Sequence, residues 1–115
     1  MTIDKQRSCN YIVVIRDIHF EWSPSKNISN TSKHGVSFEE AATVFSDMLY
    51  IEITDPDHSQ DEERFVAYGI SSSGRLLAVC YSALKDDNNV RIISARKATA
   101  NETKQYGEKT NARRI

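Results

Sequence analysis

The stretch RFVAYGISSSGRLLAVCYS (Arg64–Ser82), followed after a polar turn by VRIISA (Val90–Ala95), decides the fold class. Both halves of the first segment are rich in aliphatic and aromatic residues, and Ser71-Ser72-Ser73-Gly74 between them is a hairpin signal. Lys85-Asp86-Asp87-Asn88-Asn89 supplies a second turn. Strands joined by such short turns pair as an antiparallel meander, because a parallel crossover needs a dozen or more connecting residues. Upstream, LYIEI (Leu49–Ile53) alternates as a half-buried strand does, and Thr54–Glu63 reads as a polar loop. Further back, Tyr11–Trp22 reads as extended chain broken at Asp17, with Ile18, Phe20 and Trp22 on one face.

Three helices complete the pattern. Ser23-Pro24 is an N-cap followed by proline at the first helical position, and Gly35 suits the left-handed residue after that helix ends at His34. Ser37-Phe38-Glu39-Glu40 is a capping box, with Glu40 expected to reach back to the cap. Phe38, Ala41, Ala42 and Phe45 then form a core-facing stripe that ends near Asp47. Thr99-Ala100-Asn101-Glu102 opens a short helix expected to stop around Gly107. The expectation is an α+β domain: a small antiparallel sheet packed with two N-terminal helices and one C-terminal helix. Residues 1–10 read as a flexible leader, 11–107 as a single domain and 108–115 as a frayed tail.

Composition limits what such a chain can be. The longest apolar run, Tyr11–Ile15, is strand-sized, far short of the ~20 residues of a membrane span. The polar first ten residues do not resemble a signal peptide. Cys9 and Cys80 are the only cysteines; Cys80, inside an apolar strand, reads as a small core hydrophobe. A cytoplasmic chain without a disulfide framework is expected. The net charge of −1 hides an asymmetry, with nine acidic and no basic residues over Glu39–Glu63. Over Arg75–Ile115 there are nine basic against four acidic residues, which suggests a phosphate-binding surface in the second half.

The strand arginines are the first candidates for chemistry. Arg64 and Arg75 open the two hairpin strands, and Arg91 and Arg96 lie on the last strand. A guanidinium fork fits phosphate oxygens and keeps its charge, although arginines also commonly pair with carboxylates or cover sheet edges. Strand parity puts Arg91 and Arg96 on opposite faces unless a bulge intervenes. On the first helix, Lys26, Asn30 and Lys33 share a stripe beside His34, and only Ile28 is a large apolar residue. Lys33 and His34 can serve a cleft, or simply meet the helix dipole. His58 and Glu63, in the acidic loop, are possible proton acceptors. That loop lacks the glycine of a calcium site, having Gln60 there, and two separated cysteines make no zinc cluster, so no metal site is expected.

In order, FEWSPSK (Phe20–Lys26), Asn30, KHGVSFEEA (Lys33–Ala41), Val44-Phe45, Asp47, His58-Ser59, Glu62-Glu63-Arg64, Gly69, SGRLL (Ser73–Leu77) and VRIISARKA (Val90–Ala98) resemble the signature of the BrnT toxin family. The resemblance runs from about Phe20 to Tyr106. It implies a RelE-like fold and a bacterial type II toxin that cleaves RNA. It also implies no cofactor, and a BrnA-like ribbon-helix-helix antitoxin that neutralises the toxin and links it to operator DNA. The matching polar positions are Lys33, His34, Glu63, Arg64, Arg75, Arg91 and Arg96.

The chain departs from the pattern at Ser23 and Met48, where the family usually has aspartate and proline. It also departs at Ala83-Leu84-Lys85, where an arginine is common and Lys85 would stand in as a point charge. The implied reaction is metal-independent: the ribose 2′-hydroxyl attacks the adjacent phosphorus. Lys33, His34 or Glu63 would move protons, while Arg64, Arg75 and Arg96 stabilise charge. Lys26, Asn30, Lys85 and Arg91 would hold substrate. Two other readings stay open: a catalytically weakened module that binds an antitoxin and modulates its DNA binding, and a toxin aimed at another target, such as a topoisomerase.

Overall fold

In a computed structural model the backbone is described for residues 11–15, 17–55, 63–83 and 88–114, and side chains within those ranges from residue 15 to 111. A hairpin of β1 (Tyr11–Ile15) and β2 (Ile18–Trp22) turns through Asp17, whose φ of 68° is left-handed. Then come α1 (Pro24–His34), α2 (Phe38–Ala42) with a 3-10 extension (Thr43–Ser46), and β3 (Ile51–Thr54). The chain closes with β4 (Arg64–Ile70), β5 (Leu76–Ala83), β6 (Asn89–Lys97) and α3 (Ala100–Arg114).

The α+β class is as expected, but the sheet is larger and mixed. Its six strands run in the order β1-β2-β6-β5-β4-β3. From β3 to β6 it is the expected antiparallel meander. The β1–β2 hairpin docks on the far edge of β6, and β2 pairs with β6 in parallel. The driving term is burial: Phe20 and Trp22 are fully buried on the core face with Phe38, Val44, Leu77 and Val79. Phe45 lies at the centre of an aromatic cluster, its ring 4.9–5.2 Å from those of Phe20, Tyr50 and Tyr81. Each such pair adds ~0.5–1.5 kcal/mol beyond the area it buries.

Several local expectations need correction. The strand after the 3-10 turn begins at Ile51, and Ile53 is 41% exposed, because β3 is an edge strand covered only at one end. Ser37 caps α2, accepting from the Glu40 N–H, but the Glu40 carboxylate turns to Arg75 and Ser71 instead of reaching back. Helix α3 does not stop at Gly107 and reaches Arg114. A mid-helix glycine costs ~1 kcal/mol against alanine. Here it is offset by Tyr106 and Thr110, buried one turn apart, with the Thr110 hydroxyl donating to the Tyr106 carbonyl. Residues 1–10, 56–62 and 84–87 lie outside the described residues, and with them Cys9, His58, Lys85 and the leader.

Helix α1 is held differently from the rest. Asn30 is its one buried residue, so no apolar stripe docks it. Beyond Arg91, β6 has no β2 partner, which leaves an open backbone edge. The Asn30 amide closes that edge: Nδ2 donates to the Ala95 and Val36 carbonyls at 2.8 and 2.9 Å, and Oδ1 accepts from the Ala95 N–H at 3.2 Å. Polar satisfaction thus fixes α1 alongside the sheet edge.

Candidate functional site

The sheet face away from the core holds the candidate site, and an irregularity in β6 makes it. Cys80 pairs with Ser94 and Tyr81 with Ile92, so Ile93 is an extra residue in β6, a bulge. The alternation therefore slips by one, and Val90, Ile92 and Ala95 are all buried in the core. Arg91 and Arg96, expected on opposite faces, end up on the same open face.

Two depressions on this side meet at Ile93 and Ser94. The first, of about 250 Å³, is lined by Arg64 and Val66 of β4, Ala78 and Cys80 of β5, Arg96 of β6, and Asp55 just past β3. The second, of about 190 Å³, lies against α1 and is lined by Lys26, Ser29, Asn30, Lys33 and His34. Together they form one groove running from the sheet face to the polar side of α1. A helix this polar packs weakly, and here its surface contributes a wall. Among the described residues no carboxylate pairs with Lys26, Lys33 or His34.

Arg96 sits at the junction of the open face with α3. Its two terminal nitrogens meet the Glu102 oxygens at 2.8 and 2.9 Å, a bidentate pair, and the Tyr68 hydroxyl donates to the same carboxylate. The Arg96 hydrogen bonds hold the Glu102 carboxyl down at about 2, well below the carboxylate range. Burial, then the Glu102 charge, pushes the Tyr68 phenol up, so it remains a proton donor. Glu102 also accepts from the Thr99 N–H while the Thr99 hydroxyl accepts from its N–H, completing the expected capping box. The start of α3 thereby presets the Arg96 guanidinium at the groove.

Other residues singled out from the sequence are placed elsewhere. Arg75 does not line the groove; its Nε and terminal nitrogen reach Glu40 at 3.0 and 2.5 Å, and the Gly35 carbonyl at 3.0 Å. That contact ties the β4–β5 turn to the end of α1 and holds the Glu40 carboxyl below its usual range. Arg91 pairs with Glu21 across the parallel β2–β6 ladder. Asn30 borders the groove, but its amide is engaged by backbone, so its part is structural. Glu63 is exposed just before β4 and is outside the groove lining. Cys80 lies half-buried in the groove floor instead of the core, because its neighbours Val79 and Tyr81 take the core face.

The family model described as "Ribonuclease toxin, BrnT, of type II toxin-antitoxin system" matches residues 22–102. The chain belongs to the BrnT toxin family. The matched span opens at Trp22 in β2 and closes at Glu102 behind Arg96, so the whole groove of this BrnT toxin falls inside it. As its family describes it, it is a ribonuclease toxin of a type II toxin–antitoxin system, a class with an RNA substrate and an antitoxin partner. No curated protein matches the chain. No helix among the described residues is long and apolar enough to cross a membrane. Sequence reading missed two groove-lining groups of the toxin, Asp55 and Ser94, and Tyr68, which braces Glu102 behind Arg96. The alternation of β4 offered one signal, since Asp55 stands directly across the ladder from Arg64, its N–H on the Arg64 carbonyl at 2.8 Å.

Proposed function

We propose that this BrnT toxin cleaves RNA in the groove between α1 and the open sheet face, without a metal ion. The supporting observation is that Lys26, Lys33, His34, Arg64 and Arg96, contributed by three different elements, line two depressions that share Ile93 and Ser94. Four cations beside an imidazole suit a phosphodiester whose charge grows in the transition state, and Arg96, held by Glu102, acts there without reorganising. A metal's electrostatic part is then taken by side chains.

In the proposed step the 2′-oxygen bonds to phosphorus while His34 takes its proton. The bond from phosphorus to the 5′-oxygen breaks, and Lys33 gives the leaving oxygen a proton. The products are a 2′,3′-cyclic phosphate and a free 5′-hydroxyl. Such acid–base help is worth roughly 10²–10⁴-fold. Arg64 and Arg96 hold the non-bridging oxygens, with Arg96 aimed by Glu102. Glu63 is not needed for this route. The cognate inhibitor is a BrnA-like ribbon-helix-helix antitoxin whose acidic segment competes for the groove. Operator DNA is reached through that antitoxin, and the pair acts in the cytoplasm on a RelE-like frame.

The test is cleavage of a defined RNA in the presence of EDTA. Wild type leaves cyclic phosphate ends, His34→Ala and Arg64→Ala lower kcat/KM at least 100-fold, and Arg75→Ala stays within about threefold. Absence of cleavage, cleavage that returns only with divalent cations, or groove variants as active as wild type would each sink the proposal.

A further inference from the structure

The two halves of the groove differ in chemistry, and we infer that the Arg64 half is a nucleobase pocket that selects guanine through the Asp55 carboxylate. This rests on the RNA-cleavage reading above and adds a specificity to it. The half against α1 offers Lys26, Lys33 and His34 and, among the described residues, no carboxylate in its lining. That is a place for phosphate. In the other half, Val66, Ala78 and Ile93 from three adjacent strands make an apolar floor on the sheet face. Its volume of about 250 Å³ lies just under the range of drug-sized pockets, on the scale of one planar ring system.

A phosphate gains nothing from an apolar floor and is repelled by a carboxylate. A base gains from both. Asp55 continues the β3–β4 ladder, with its N–H on the Arg64 carbonyl at 2.8 Å. Its Oδ2 lies 4.0 Å from the Cys80 sulfur, which places the carboxylate beside the floor. A carboxylate is an acceptor only, with two oxygens. The Watson–Crick edge of guanine presents two adjacent N–H donors to such a pair. Adenine and cytosine set a ring nitrogen acceptor beside their one amino group, and uracil sets its single N–H between two carbonyls. Single-stranded RNA leaves these edges accessible. Arg64 and Arg96 line the same pocket, so that beside the selected base they hold the non-bridging oxygens of the cleaved phosphate.

The experiment compares RNAs that differ at one nucleotide beside the cleaved bond, for wild type and Asp55→Asn, with thermal melts to show that the variant folds. Wild type prefers guanine by tenfold or more, and inosine, which keeps the ring N–H but lacks the 2-amino donor, loses at least fivefold of that preference. In Asp55→Asn the guanine-over-adenine ratio drops at least tenfold. If Asp55 only braces Arg64, the variant loses activity equally on all four RNAs, and the inference fails. Wild type cutting all four alike, or inosine performing as guanine, also overturns it while leaving RNA cleavage standing. Absence of any cleavage overturns both readings. Should Asp55→Asn not fold, the inosine comparison on wild type decides alone.

Discussion

Asn30 ties the α1 wall to the open edge of β6, and replacing it has a calculable effect. In Asn30→Ala three hydrogen bonds are lost: two donated to the Val36 and Ala95 carbonyls and one accepted from the Ala95 N–H. Each contributes about 1 kcal/mol net, and a buried group left unpaired costs ~1–3 kcal/mol. The site is 8% exposed, so water replaces only part of what is removed. The loss should be about 3 kcal/mol, a large share of the ~5–15 kcal/mol typical of a domain. At ~4 °C per kcal/mol for this size, the melting midpoint falls by roughly 12 °C. Urea unfolding followed by circular dichroism reads the first number and a thermal scan the second. Because α1 carries Lys26, Lys33 and His34, RNA cleavage should fall with it, even at temperatures where the variant is folded. A stability change under about 0.5 kcal/mol, within the range of ordinary surface substitutions, would refute the claim that this amide anchors the helix.

Other substitutions probe other links. Gly69→Ala puts a Cβ 2.7 Å from Val44 Cγ1 and 3.0 Å from Tyr50 Cβ, so it should cost about 1–3 kcal/mol by urea melt, and a neutral result would mean the 3-10 segment yields freely. Glu102 has a depressed carboxyl, so its contribution is present above the unfolded value near 4.5 and fades as pH falls toward about 2. Since Arg96 is 42% exposed, solvent screening reduces that contribution to about 1–2 kcal/mol. Wild type should lose it on acidification and Glu102→Gln should not; parallel acid titrations of stability would count against the pair. Arg75→Ala should lower the melting temperature with little effect on cleavage at permissive temperature, and a loss as deep as that of Arg64→Ala would put Arg75 back among the catalytic groups.

Much of this fold was legible because its signals are local. Ser23-Pro24, Gly35, Ser37 and Thr99 mark helix ends through their own side chains or φ, and the strands from Arg64 onward declare themselves by composition. What was hidden is what depends on distant partners. Nothing near Ile93 announces a bulge; it arises from fitting Ile92 and Ala95 into one core, and it alone unites Arg91 with Arg96. Asn30 looked like a surface residue because an open strand edge 65 residues away is absent from any local window. Glu40 satisfied a capping pattern, yet a guanidinium brought in by the β4–β5 turn outcompeted the cap. Of the residues picked for chemistry, Lys26, Lys33, His34, Arg64 and Arg96 do line one groove, whereas Arg75 and Arg91 face carboxylates that lie more than thirty residues away in sequence.

The placement of RNA across α1 and the open sheet face carries the proposed function. It is tested most directly by amide and side-chain NMR shifts of the ¹⁵N-labelled toxin, titrated with an RNA whose cleaved position carries a 2′-deoxy sugar and so cannot react. The largest changes should fall on Lys26, Lys33, His34, Arg64, Ser94 and Arg96, with Arg75 and Glu40 nearly unmoved. Changes centred on the Arg75–Glu40 turn or on the outer strands β1 and β3, with the groove silent, would contradict it.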